Sequence, residues 1–98
     1  MKTQPNPIAV RINNYTLACQ AEHDRLVKDA VRRAVRLCEK ERENYAVLLG
    51  AHKRGHPTEG AMAVWRDTQF KSRNAVRAVK SVDFDEYMKL KKRFALAT

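Results

Sequence analysis

Arg25-Leu26-Val27-Lys28-Asp29-Ala30-Val31-Arg32-Arg33-Ala34-Val35-Arg36-Leu37-Cys38-Glu39-Lys40 is the stretch whose reading decides the fold. Val27, Val31, Val35 and Cys38 recur every three or four residues, and Leu26, Ala30, Ala34 and Leu37 widen that row. Arg25, Lys28, Arg32, Arg36 and Lys40 fall on the opposite flank. Only the 3.6-residue period of an α-helix sorts these side chains into an apolar and a basic side. The apolar row runs on through Tyr45, Leu48 and Leu49, with no proline or glycine in between. Asn13 or Asn14 is suited to cap the helix and Gly50 to stop it, so a helix is expected over 14–49, about 50 Å long at 1.5 Å per residue. Glu22-His23-Asp24 interrupts the apolar rows, and a break there would give a bundle of four helices.

Working outward, Gly50-Ala51-His52-Lys53-Arg54-Gly55-His56-Pro57 reads as a basic turn, after which Thr58 can cap a second, antiparallel helix over 58–80. Ala61, Trp65, Thr68, Ser72, Ala75, Val76 and Val79 mark its narrow inner face, with Trp65 as the expected anchor. A second basic row, Arg66, Arg73, Arg77 and Lys80, flanks an aromatic residue, Phe70. The third helix, over 83–95, has a well-specified start: Asp83 and Glu86 stand at capping-box spacing, and Val82 and Tyr87 occupy the staple positions around them. Toward the N-terminus, Pro5 and Pro7 favour an extended chain, and Ile8, Val10 and Ile12 alternate with Ala9 and Arg11 in the two-residue period of a strand. The expected fold is all-α: a small helical hairpin or three-helix domain over 13–98 with a long first helix, preceded by an extended N-terminal arm over 1–12. Ile8, Val10 and Ile12 are the expected arm contacts, either on the protein's own helices or on a partner.

The chain has 98 residues and a formal charge of +9, with 44% hydrophobic and 32% charged residues. That is room for one small domain, too apolar for a disordered basic tail and basic enough to favour an acidic partner. No run approaches the ~20 apolar residues of a membrane span, and the N-terminus lacks the apolar run of a secretion signal. No membrane association is expected, and a cytoplasmic location follows. Cys19 and Cys38 lie about 28 Å apart on one helix, too far to bridge, so both are expected to be reduced.

No glycine-rich phosphate loop and no G-x-S-x-G turn is present, and Asp83, Asp85 and Glu86 are accounted for as helix-start residues. No catalytic residues and no cofactor are therefore expected. His52 and His56 have a spacing seen in metal sites, but no C-x-x-C pair accompanies them, and no metal is expected either. His56-Pro57 is an exposed X-Pro bond of the kind a prolyl isomerase engages, although a proline ending a loop before a helix explains it as well. What remains is binding. Arg25, Lys28, Arg32, Arg36, Lys40, Arg66, Phe70, Arg73, Arg77 and Lys80 are the candidate contacts, either to nucleic acid, with Phe70 stacking on a base, or to an acidic protein surface. The apolar width of the first helix also makes a homodimer an option.

As a whole, from Met1-Lys2-Thr3-Gln4-Pro5-Asn6-Pro7 through Cys38-Glu39-Lys40-Glu41-Arg42 to Lys91-Lys92-Arg93, the chain resembles the anti-RecBCD accessory proteins of lambdoid temperate phages in length, charge and layout. The resemblance implies a phage-encoded protein in the host bacterial cytoplasm. It would bind the host RecBCD helicase–nuclease through its RecC subunit and redirect DNA-end processing toward phage recombination, with all catalysis left to the host complex. The alternative from the residues alone is a small basic protein that binds DNA or RNA directly through its Lys/Arg helix faces.

Overall fold

The structure, a computed structural model, describes residues 7–96. They form three helices, α1 (Pro7–Lys53), α2 (Glu59–Val82) and α3 (Phe84–Arg93), in the all-α arrangement expected. Asn44 bonds Thr68 and Glu41 bonds Ser72, so α2 runs antiparallel to α1 along its C-terminal half. α3 reverses again beside that pair, ending where Arg93 meets Glu39 and Phe94 reaches Arg42. The molecule is a rod of 83 × 20 × 17 Å.

The core is thin and made largely of small side chains. Ala34 and Cys38 of α1 meet Ala75, Val76 and Val79 of α2, and Leu90 and Phe94 close the third side. Small residues let helix axes approach closely, at the cost of little apolar area per layer. Two buried hydroxyls in α2 are satisfied across the seam or within it: Thr68 Oγ1 accepts from Asn44 Nδ2 at 2.6 Å, and Ser72 Oγ donates to Glu41 Oε2 at 2.7 Å. The buried face of α2, Thr68, Ser72, Ala75, Val76 and Val79, falls entirely within the expected inner face.

Three local expectations change. α1 is continuous through Glu22-His23-Asp24 and begins at Pro7, so Ile8, Val10 and Ile12 lie on a helix and not on a strand. A lone strand would leave its N–H and C=O groups unpaired, whereas a helix continuing from below satisfies them internally. Residues 1–6 of the expected arm lie outside the described residues. The helix also passes through Gly50 and stops at Gly55, whose φ of +69° suits a residue without a Cβ. Gly55 N–H donates to His52 O and His56 N–H to Ala51 O, the paired bonds of a Schellman stop. Finally, Thr58 stands at the N-cap of α2 but makes no side-chain capping bond. At α3 one half of the expected capping box forms, with Asp83 Oδ1 accepting from Glu86 N–H at 3.0 Å.

α3 ends in the same kind of stop, with Leu96 N–H donating to Lys91 O and Ala95 held at φ 51°. One motif therefore carries glycine at its left-handed position and the other carries alanine, which has a Cβ penalty there. Gly55→Ala is expected to lower stability by about 1 kcal/mol and Ala95→Gly to raise it by a similar amount. Chemical denaturation of the two variants beside the parent reads both signs.

Candidate functional site

The basic row of α1 lies on the outer side of the α1–α2 pair, with Lys28 and Arg32 bordering a shallow hollow shared with Glu86 of α3. Arg25, Lys28, Arg32, Arg36 and Lys40 are all exposed, on the side of α1 opposite Ala34 and Cys38. Its ends are neutralised in place: Arg25 is shared between Glu22 and Asp29, and Lys40 reaches Glu43 at 3.5 Å. Arg25 also holds the Glu22 carboxyl below its usual range, by hydrogen bond first and charge second. Lys28, Arg32 and Arg36 have no carboxylate partner among the described residues. They stand one turn apart, a run of three cations with no direct ion pair, although Asp24, Asp29 and Glu86 lie near Lys28 and Arg32.

On α2, the row divides by role. Arg66, Phe70 and Arg77 stand on the side of the helix away from Ser72 and Val79, and Phe70 is 68% exposed. Lys80 places its ammonium 5.4 Å from the Tyr87 ring of α3, and Arg73 turns inward to Glu41 at 3.1 Å. Arg73 therefore ties helices together in addition to flanking Phe70. Because α1 and α2 bury their inner faces against each other, the two basic rows point in opposite directions and form two surfaces. Helical spacing shows each row, whereas their relative orientation depends on the packing.

The sequence reading did not foresee a hollow between the helices. α3 ends before it has covered the α1–α2 groove, leaving an open cavity of about 360 Å³ lined in part by Tyr45, Trp65, Gln69, Arg42, Arg73 and Phe94. Tyr45 and Trp65 meet with ring centroids 5.3 Å apart, so Trp65 anchors this end as expected. Arg42 lies 4.7 Å over the Phe94 ring. At the floor, Glu41 is 13% exposed and accepts from both Ser72 and Arg73. Glu39 and Glu41 stand beside Arg36, Lys40 and Arg42 of their own helix, yet they pair with Arg93 of α3 and Arg73 of α2. Cys38 also borders the hollow, and burial, followed by the Glu41 carboxylate, pushes its thiol up, so it is held protonated. Such a lining suits an apolar or aromatic side chain of a partner, with guanidinium groups at its rim.

His52 and His56 are exposed, and no group of three or more metal-ligating side chains occurs among the described residues. Pro57 is exposed beside its trans bond to His56. No helix among the described residues is long and apolar enough to cross a membrane. Comparison with protein-family models, with curated proteins and with solved structures finds no match.

Both cysteines are free, Cys19 exposed and Cys38 buried. A thiol reagent is therefore expected to modify Cys19 quickly in the native protein and Cys38 only at the rate of unfolding, which peptide mapping over time resolves. Glu41→Ala leaves Ser72 and Arg73 without their shared acceptor and is expected to cost about 1–3 kcal/mol. Asp67→Ala, which breaks the exposed pair with Lys71, should stay within about 0.5 kcal/mol in the same denaturation assay.

Proposed function

We propose that this chain is a non-enzymatic accessory protein that works by docking on a larger acidic partner, with the outer face of α2 as its contact surface. The observation that carries this reading is Phe70, a large ring 68% exposed between Arg66 and Arg77 and adjacent in sequence to Gln69, which lines the aromatic hollow. Aromatic and arginine side chains are the residues that dominate interface energies, above all where a central anchor is ringed by polar groups. The buried, protonated Cys38 thiol offers no activated nucleophile for chemistry in the hollow. The resemblance to the anti-RecBCD accessory proteins supplies the partner in this proposal: the host RecBCD complex, met through RecC, with DNA-end processing redirected and all catalysis left to the host enzyme.

A second reading has its own support. Lys28, Arg32 and Arg36 form no direct ion pair among the described residues and are regularly spaced along the outer side of α1, a geometry that can follow a phosphate backbone.

The protein captured from nuclease-treated bacterial lysate, beside a DNA titration at two salt concentrations, separates the two. The proposal expects a stoichiometric helicase–nuclease to be retained and Phe70→Ala to weaken that complex about 30-fold, the equivalent of about 2 kcal/mol. Salt-steep DNA binding lost in the Lys28, Arg32 and Arg36 triple alanine variant, with no protein retained, would replace it with direct nucleic-acid binding.

A further inference from the structure

We propose that residues 8–26 of α1 form an antiparallel two-helix seam with the same residues of a second copy of this chain. This part of α1 extends past the end of α2 by about 30 Å, and among the described residues no second helix lies beside it. Ile12, Tyr15, Cys19 and Leu26 lie along one side of it, with Ile12 62%, Tyr15 73% and Leu26 46% exposed. Ile8, Ile12, Tyr15, Cys19 and Leu26 follow the alternating four- and three-residue spacing of a coiled-coil seam, with Glu22 taking the position between Cys19 and Leu26. A lone helix of this length is marginal in water and gains from covering such a face.

Charge selects the occupant. Within residues 7–26, Arg11 and Arg25 are balanced by Glu22 and Asp24, so the projecting part is neutral in a chain of +9. It is an extended surface on which two such basic molecules bring no net charge to the contact itself. An antiparallel pairing also sends the two charged bundles to opposite ends, about 30 Å apart, well beyond a screening length of about 8 Å. A parallel pairing would set the bundles side by side.

The register follows from superposing the stripe on itself. With the two-fold near residue 17, Ile8 stands opposite Leu26 of the second copy, and Tyr15 stands opposite its Cys19. Ile12 then stands opposite the second copy's Glu22, and Arg11 comes within one residue of that carboxylate, which its own Arg25 also holds, so the charge on the seam is met from both copies, twice per dimer. The charged positions nearest the seam are thus complementary in this direction.

Sedimentation equilibrium of the full chain across a wide concentration range provides the test. A reversible monomer–dimer equilibrium is expected, with Tyr15→Glu raising the dissociation constant at least tenfold and Arg66→Ala leaving it unchanged. Arg11→Glu should weaken the dimer, and adding Glu22→Arg should recover it. Under mild oxidation Tyr15→Cys should yield a covalent dimer on a non-reducing gel through Cys19 of the other copy. A monomer at every concentration, or a dimer indifferent to Tyr15→Glu, overturns the proposal. Ready bridging of the parent chain through Cys19 alone would show a parallel seam and overturn the register.

Discussion

The hydrogen bonds and ion pair that Glu41 makes with Ser72 and Arg73 fix where α2 sits along α1, and the rest of the molecule follows from that register. The apolar seam alone is a poor ruler. Alanine and valine repeat along both helices, and a slide by one turn would exchange one small contact for another. A carboxylate that is mostly removed from water tolerates no such slide, because moving it strands the charge without its donors. Asn44 on Thr68 holds the same register one turn away. With α2 placed in this way, its 24 residues end opposite the middle of a 47-residue α1.

That mismatch in length gives the molecule two different regions. In the C-terminal half of α1, three helices share a thin core that is crossed and bordered by polar ties between helices. In the N-terminal half, a single helix presents exposed apolar side chains past the end of α2. The ten-residue α3 adds a second mismatch, stopping at Phe94 and leaving the Tyr45–Trp65 end of the groove open. The projecting stripe and the aromatic hollow both lie where one helix outruns another.

Much of this was legible in the residues, and what was not has physical causes. The inner face of α2 and the Asp83 cap of α3 were readable because period and capping chemistry are local. Ile8, Val10 and Ile12 misled because a five-residue alternation fits a strand as well as it fits two sides of a helix, and only hydrogen-bond satisfaction separates the two. Gly50 and Gly55 are equally good stops by composition, and the choice between them depends on which can take the left-handed conformation once Ala51 and His52 are helical. The partners of Glu39 and Glu41 were beyond reach, since a carboxylate beside local cations reads as a local pair until packing brings Arg93 and Arg73 closer. The hollow was invisible for the same reason: its lining is drawn from three helices, and its existence depends on how far α3 extends.

The central claim is that α1 is one helix with a covered and an uncovered half, set by the register of α2. Amide hydrogen exchange along α1, followed at a concentration low enough to keep the protein monomeric, tests it most directly. The account predicts slow exchange from Ala34 to Leu48, close to the global unfolding limit, and exchange faster by orders of magnitude over residues 10–26. Equal protection along the whole of α1 in the monomer would contradict it, because the N-terminal half would then be packed against something within its own chain.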